Sequence, residues 1–171
     1  MELLDLLTSD GRPSGDVKPK TDVHRDGDWH RAAHVWLATP DGRVLLQRRA
    51  SVKENWPDFW DISVAGHVAA GESAIDAAIR EAQEELGLTL KSEELMFLGT
   101  LRWHAVLNDG AYIENEFHDV FVAKRDIDLT QLVLDPLEVA EVALVPPREI
   151  AQYRVVPHDE EYALLFAYLG V

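Results

Sequence analysis

The stretch GHVAAGESAIDAAIREAQEELGL, residues Gly66–Leu88, contains clear signals for the beginning and end of a helix. Ser73 followed by Asp76 three residues later is typical of a capping box, and Gly87 stands where a left-handed residue commonly ends a helix. Between them, apolar residues recur at helical spacing: Ile75, Ala78, Ile79, Ala82 and Leu86. The sequence therefore predicts a helix over Ser73–Leu86 that packs on a core through one face.

Three carboxylates, Glu81, Glu84 and Glu85, lie close together near the end of this helix. At about 100° per residue they occupy an arc of roughly 100° on the flank beside the apolar stripe. They repel one another and also face the negative end of the helix dipole. Because a divalent cation would offset this repulsion, the cluster favours a metal site for Mg²⁺, which prefers carboxylate oxygens together with substrate phosphates. The alternative for an acidic string of this kind is a solvated surface.

Composition limits the class of protein. With 171 residues, of which 47% are hydrophobic, the chain predicts a single domain over residues 1–171 with a substantial core. The absence of cysteine excludes disulfides, thiolate metal sites and cysteine nucleophiles. A net charge of −15 argues against stable binding to nucleic acid or to anionic lipid. With no apolar run long enough to span a membrane and no signal-peptide pattern, we expect a cytoplasmic protein.

Strand and helix patterns alternate along the rest of the chain, and no element is predicted in the polar stretch from Thr8 to Asp28. The apolar run Ala32–Thr39, the turn residues Pro40–Gly42 and the run from Val44 predict a β-hairpin. The remaining predicted strands are Ile62–Val64, Leu95–Trp103, Glu116–Ala123 and Val139–Val145, and the remaining helices are Pro147–Tyr153 and His158–Leu169. This order predicts an α/β fold in which helices cover one mixed sheet.

The segment Gly66–Leu88 also resembles the Nudix box, G-x5-E-x7-R-E-U-x-E-E-x-G-U, where U is an apolar residue. The matching positions are Gly66, Glu72, Arg80, Glu81, Ala82, Glu84, Glu85, Gly87 and Leu88. Chance would place the seven fixed letters in a chain of this length about once in a million. The resemblance implies a Nudix-type α/β/α sandwich with a central mixed β-sheet. It also implies that Glu81, Glu84 and Glu85 bind Mg²⁺ or Mn²⁺ for hydrolysis of a small-molecule diphosphate.

A second resemblance covers more of the chain. The segments HRDGDWHRA, LLQRRASVKENWPDFWDISVAGH and IENE are similar to isopentenyl diphosphate isomerase, a branch of the same superfamily. This similarity implies a metal site built from separate segments: His24, His30, His67, Glu114 and Glu116. It also implies that Arg49 and Lys53 bind the diphosphate, beside Gly66 at the start of the box. For the two histidines before residue 31, the alternative is an ordinary surface position.

The two resemblances imply different reactions, hydrolysis and isomerisation. The residue at position 65, an alanine, favours one of them. It stands where the isomerase has its catalytic cysteine, and a methyl group cannot transfer a proton. We therefore expect hydrolysis of a nucleoside diphosphate linked to another group. The alternatives are an isomerase-like enzyme and a diphosphate-binding module without activity. The expected catalytic residues are Arg80, Glu84, Glu85 and Glu116, and the sequence leaves the choice of general base open between Glu84 and Glu116.

Four aromatic residues have simpler interpretations. Trp36, inside the strongest strand pattern, is predicted to be a core residue. Trp56, Phe59 and Trp60 could stack on a base, but packing is the favoured interpretation because aromatic residues near a strand more often belong to a core.

Overall fold

The structure, a computed structural model, describes residues 1–171 and has an α/β fold. Its strands are β1 (Leu3–Leu7), β2 (Pro13–Pro19), β3 (Trp29–Ala38), β4 (Val44–Arg49), β5 (Trp60–Asp61), β6 (Val64–His67), β7 (Met96–Leu107), β8 (Tyr112–Lys124) and β9 (Val139–Val145). Its α-helices are α1 (Lys20–Asp26), α2 (Ala74–Leu86) and α3 (Asp159–Leu169). None of these helices combines the length and hydrophobicity that a membrane crossing needs.

Strand β3 is the centre of the sheet and explains the layered architecture. It runs parallel to β8 from the pair Trp29–Asn115 to the pair Ala38–Lys124, and antiparallel to β6. Its side chains alternate between two cores, as a strand covered on both faces requires. Val35 and Leu37 pack with α2, whereas Trp36 packs with α3. The predicted mixed sheet between helices is confirmed, and Trp36 is fully buried as predicted.

Helix α2 begins and ends where local sequence signals predict. The Ser73 hydroxyl accepts a hydrogen bond from the Asp76 backbone N–H at 3.2 Å. At the other end, Gly87 adopts φ = 63°, and its N–H donates to the Gln83 carbonyl at 3.0 Å. Both contacts satisfy backbone groups that a helix end leaves free, so the prediction of this helix is confirmed.

Other local predictions hold only in part, because tertiary pairing decides the structure there. The stretch from Thr8 to Asp28 contains β2 and α1, and β2 is largely exposed, so no hydrophobic pattern marks it. The predicted hairpin pairs only at Ala38–Val44, because β4 instead pairs along its length with β9. Residues 62–63 lie between the short strands β5 and β6. Residues Pro147–Gln152 form a 3₁₀-helix, which begins directly after Pro146.

Candidate active site

A cavity of about 630 Å³ opens between the box helix α2 and the strands β3, β6 and β8. Ten carboxylates line it, against four lysine and arginine side chains, and nine of the 29 lining residues are hydrophobic. Its size is within the range of small-molecule sites. The predicted site residues that line it are Arg49, Lys53, Gly66, His67, Arg80, Glu81, Glu84, Glu85, Glu114 and Glu116.

Three histidines and one glutamate converge beside this cavity from four different elements. His24 comes from α1, His30 from β3, His67 from β6 and Glu116 from β8. The parallel register places His30 opposite Glu116. His24 Nε2 lies 3.1 Å from His67 Nε2, and Glu116 Oε1 lies 3.2 Å from His30 Nε2 and 3.4 Å from His67 Nε2. One ligand atom of each residue lies within 4.8 Å of those of the other three.

The tautomers of two of these histidines suit a metal ligand. His24 Nδ1 donates to the Ile113 carbonyl at 3.1 Å, and His30 Nδ1 donates to the Asp28 carbonyl at 3.0 Å. Because a carbonyl only accepts, the proton of each neutral ring is on Nδ1 and the lone pair is on Nε2, directed at the group. His30 Nε2 is buried and makes no hydrogen bond. Burial, with the neighbouring His67 and His30, also lowers the pKa of His24 to about 3, which keeps its ring neutral.

The distances in this group fit a metal ion. Ligand atoms bound tetrahedrally at about 2.1 Å from an ion are about 3.4 Å apart, close to the observed separations. Glu114, which the isomerase resemblance adds to the set, lies in the same cavity but outside the group. Its Oε2 accepts a hydrogen bond from Trp103 Nε1 at 2.8 Å. Burial and the charge of Glu116 raise the pKa of Glu114 to about 7.

The box arginine organises the loop and helix around it. Arg80 donates to both oxygens of Glu72, at 2.9 and 3.0 Å, and to the His67 carbonyl at 3.0 Å. It also contacts Glu81 at 2.6 Å and Glu84 at 3.2 Å. Paired donation from one guanidinium fixes orientation as well as distance. Arg80 therefore ties the loop before α2 to the carboxylates of α2.

Because Arg80 holds two of the three box glutamates, their oxygens do not converge on one point. Two sets of histidine and acidic side chains meet within 4.8 Å, and neither includes Glu81, Glu84 or Glu85. The structure thus places the predicted box ligands along one wall of the cavity, beside the histidine group and separate from it.

Gly66, which has no side chain, leaves space for the side chain of Glu81. The Glu81 side chain crosses directly over it, and a Cβ added at Gly66 would lie 2.1 Å from Glu81 Cδ. A larger residue at position 66 would therefore displace Glu81 from the cavity wall.

Glu85 is buried more deeply than the helical pattern predicts. The helical pattern places Glu85 on the flank beside the apolar stripe, and in the structure only 4% of the residue is exposed. Gln47 Nε2, from β4, donates to Glu85 Oε2 at 3.1 Å. Burial and the charges of Glu81 and Glu138 raise the pKa of Glu85 well above its ordinary value.

Arg49 and Lys53 line the cavity, and each already has a carboxylate partner. Arg49 Nη1 lies 3.1 Å from Asp61 Oδ2, and Lys53 pairs with Glu138. Their positions are compatible with a phosphate contact, while the partners reduce the free positive charge that a substrate would meet.

Several polar residues beside the cavity were not singled out from the sequence. His34, Asp61, His118 and His158 line it, and each is at least nine-tenths buried. Their positions within apolar strands or before a helix gave no local signal. Trp56 also lines the cavity, and its half-buried ring packs edge-on against Phe59 with 5.2 Å between the ring centroids.

Comparison with known proteins agrees with this geometry. The NUDIX domain model matches residues 28–166. Nudix hydrolase 3 of Arabidopsis thaliana is 40% identical over 96% of this chain, which spans only 23% of that longer protein. Isopentenyl-diphosphate Delta-isomerase of Clavibacter sepedonicus is 39% identical over 87% of this chain and 76% of its own length.

The fold is also found among solved structures. The crystal structure of DR0079 from Deinococcus radiodurans matches with a TM-score of 0.72 and 21% identity, covering 98% of this chain and 99% of that one. The NUDIX domain model spans most of the chain, and the two relatives named above are 40% and 39% identical to it in sequence. The chain therefore belongs to the Nudix hydrolase family, whose members act on pyrophosphate bonds.

Proposed function

We propose that the protein is a Mg²⁺- or Mn²⁺-dependent hydrolase that cleaves the diphosphate linkage of a nucleoside diphosphate joined to another group. The excess of carboxylates in the cavity supports this proposal most strongly. Ten carboxylates facing four cationic side chains would repel a diphosphate unless divalent cations lay between them.

Two sets of residues would hold these ions. His24, His30, His67 and Glu116 form a compact nitrogen and oxygen set, which suits Mn²⁺ better than Mg²⁺. Glu81, Glu84 and Glu85 are oxygen ligands that would share Mg²⁺ with substrate phosphates. Bound ions would polarise phosphoryl oxygens and lower the pKa of the attacking water.

The remaining roles belong to side chains of the chain itself. Arg49 and Lys53 would orient the phosphates by exchanging part of their contact with Asp61 and Glu138. Glu84 is the stronger candidate for the general base, because its side chain is 57% exposed and contacts only Arg80. Glu116, in contrast, is buried within the histidine group, where it would bind the metal ion and accept a hydrogen bond from His118 Nε2 at 2.8 Å.

The isomerase similarity supports a second function, but the cavity opposes it. Ala65 pairs with His34 in the sheet and lines the cavity where the isomerase resemblance places a cysteine, and the chain has no thiol. Isomerisation needs a proton donor and a proton acceptor on opposite faces of a double bond. Hydrolysis needs only water and a base.

A product screen tests the proposal. The protein would be incubated with nucleotide sugars, dinucleotides, nucleoside di- and triphosphates and prenyl diphosphates, with Mg²⁺, Mn²⁺ or a chelator. We expect metal-dependent release of a nucleoside monophosphate from at least one nucleotide substrate. Cleavage that is unchanged by the chelator, or activity confined to prenyl diphosphates, would contradict the proposal.

A further inference from the structure

Three histidines and a tryptophan line one end of the cavity. We call His34, His118 and His158 the histidine wall. The His34 ring centroid lies 3.9 Å from that of His118 and 5.5 Å from that of His158. The Trp103 ring lies 4.8 Å from the His158 ring. All four residues line the cavity, so this end combines aromatic faces with ring nitrogens.

His158 has a buried ring nitrogen without a hydrogen-bond partner. Its Nε2 lies 3.4 Å from Asp61 Oδ1, whereas its Nδ1 is buried and has no hydrogen-bond partner. Burial favours the neutral ring, but Asp61 outweighs it and raises the pKa of His158 to about 8. The ring can therefore hold a proton on Nδ1, and a buried donor without an acceptor is costly.

Asp61 connects this wall to the proposed phosphate site. Its Oδ1 accepts from the Ile62 N–H at 2.8 Å and lies near His158, while its Oδ2 contacts Arg49 Nη1 at 3.1 Å. One buried carboxylate thus fixes both a phosphate-binding candidate and the histidine that lies next along the cavity. A group attached to a diphosphate held at Arg49 would reach the wall.

The polar atoms of the histidine wall disfavour binding of a substrate whose diphosphate carries a purely apolar group. A prenyl chain would cover His158 and Asp61 without giving Nδ1 an acceptor, and burying a charged pair in this way is unfavourable. A nucleoside offers oxygen and nitrogen acceptors on its base and ribose, and its flat base can pack on aromatic side chains.

Resting on the proposed function, we infer that His158 determines substrate specificity by donating a hydrogen bond from Nδ1 to an acceptor on the nucleoside that carries the diphosphate. Asp61 orients His158 for this contact. The histidine wall is the nucleoside subsite, and it accounts for a preference for nucleotide over prenyl substrates.

The test uses non-hydrolysable probes with the intact protein and Mg²⁺. Calorimetry would compare methylenediphosphonate, its ribose ester, its nucleoside ester and its dimethylallyl ester. His158→Phe keeps a ring but removes the hydrogen-bond donor. We expect it to weaken binding of the nucleoside ester about tenfold or more. Binding of plain methylenediphosphonate should change less than about twofold. The ribose ester shows whether the acceptor is on the sugar or the base.

Two further variants define the controls. His158→Asn restores a donor near Nδ1 and should recover most of the lost affinity. His104→Phe removes an exposed histidine on β7, outside the cavity, and should change no probe. Equal weakening of all probes by His158→Phe, or preferential binding of the dimethylallyl ester by the unmodified protein, would overturn the inference.

Nitrogen NMR of the unmodified protein provides a measurement that needs no substitution. The His158 Nδ1 signal should shift with the nucleoside ester and stay in place with methylenediphosphonate. An unmoved signal in the presence of bound nucleoside ester would overturn the inference. Because these readouts measure binding, a protein that binds the nucleoside ester without any hydrolytic activity would contradict the proposed function and leave the subsite supported.

Discussion

At the scale of one residue, the buried carboxylate of Glu85 lowers the stability of the folded chain when it is ionised. Its raised pKa means that the folded chain retains the Glu85 proton to higher pH than the unfolded chain does. Its contribution to the free energy of unfolding is therefore greatest below about pH 4.3, the ordinary glutamate value, and falls as the pH rises through the folded pKa. A buried carboxylate with this cost is expected where a cation is bound.

Substituting Glu85 tests this account. With a chelator present, Glu85→Gln should melt at a higher temperature than the unmodified protein at pH 8, and the difference should shrink near pH 4. With metal, the variant should lose activity by about tenfold or more, because the ligand charge is gone. Glu84→Gln, at an exposed position, should show little change in melting temperature. If Glu85→Gln melts at a lower temperature than the unmodified protein at pH 8 with the chelator, then the ionised Glu85 carboxylate does not destabilise the metal-free fold, and this account of Glu85 is wrong.

Lys53 carries the prediction for the phosphate contact. Lys53→Ala removes a point charge from the cavity and should raise KM for a diphosphate substrate about tenfold, with a smaller effect on kcat. Arg48→Ala is the matched control, since Arg48 pairs with Asp58 and Glu141 outside the cavity. If both variants have unchanged KM, then Lys53 does not bind the substrate.

At the scale of elements, the sequence predicts those helices and strands whose boundaries and packing depend on residues close together in the chain. Helix α2 was predictable because its cap, its apolar stripe and its terminal glycine all lie within fifteen residues. Strand β2 and helix α1 were not, because β2 is held by register with β1 rather than by burial, and α1 is only seven residues long. The burial of Glu85 also depends on a distant partner, Gln47 on β4.

Strand β3 carries the stability prediction at this scale. Trp36 is fully buried, and its Nε1 donates to the buried Glu161 at 3.0 Å. Trp36→Ala should lower the free energy of unfolding by about 3–5 kcal/mol, because it leaves a cavity and removes a partner of Glu161. Urea denaturation measures this change. Met96→Ala, at an exposed position of β7, should stay within about 0.5 kcal/mol, and a similar loss in both variants would contradict the core assignment.

At the scale of the whole molecule, the histidine group exists only because four elements meet. His24 and Glu116 are 92 positions apart, so no local pattern could join them, and only the resemblance to a known family suggested the set. The parallel pairing of β3 with β8 and the antiparallel pairing of β3 with β6 bring His30, His67 and Glu116 together, and α1 adds His24. The histidine wall, which that resemblance did not include, was missed for the same reason.

The metal content of the folded protein tests this group directly. After loading with Mn²⁺ and removal of free ion, elemental analysis should find about one tightly held equivalent, which His67→Ala should lose. His104→Ala should retain it, since His104 is exposed on β7 and lies outside the group. Equal metal content in the three proteins would show that the four side chains do not form a metal site.

The central claim, hydrolysis rather than isomerisation, is tested most directly by mass spectrometry of products formed in ¹⁸O-enriched deuterated water. The protein would receive Mg²⁺, Mn²⁺ and equal amounts of a nucleotide sugar and isopentenyl diphosphate. We predict one ¹⁸O atom in a phosphate product of the nucleotide sugar, and no deuterium bound to carbon in the prenyl compound, because the chain supplies no thiol beside Ala65. Deuterium in a dimethylallyl product, lost in Glu116→Gln, together with unlabelled nucleotide sugar, would contradict the account.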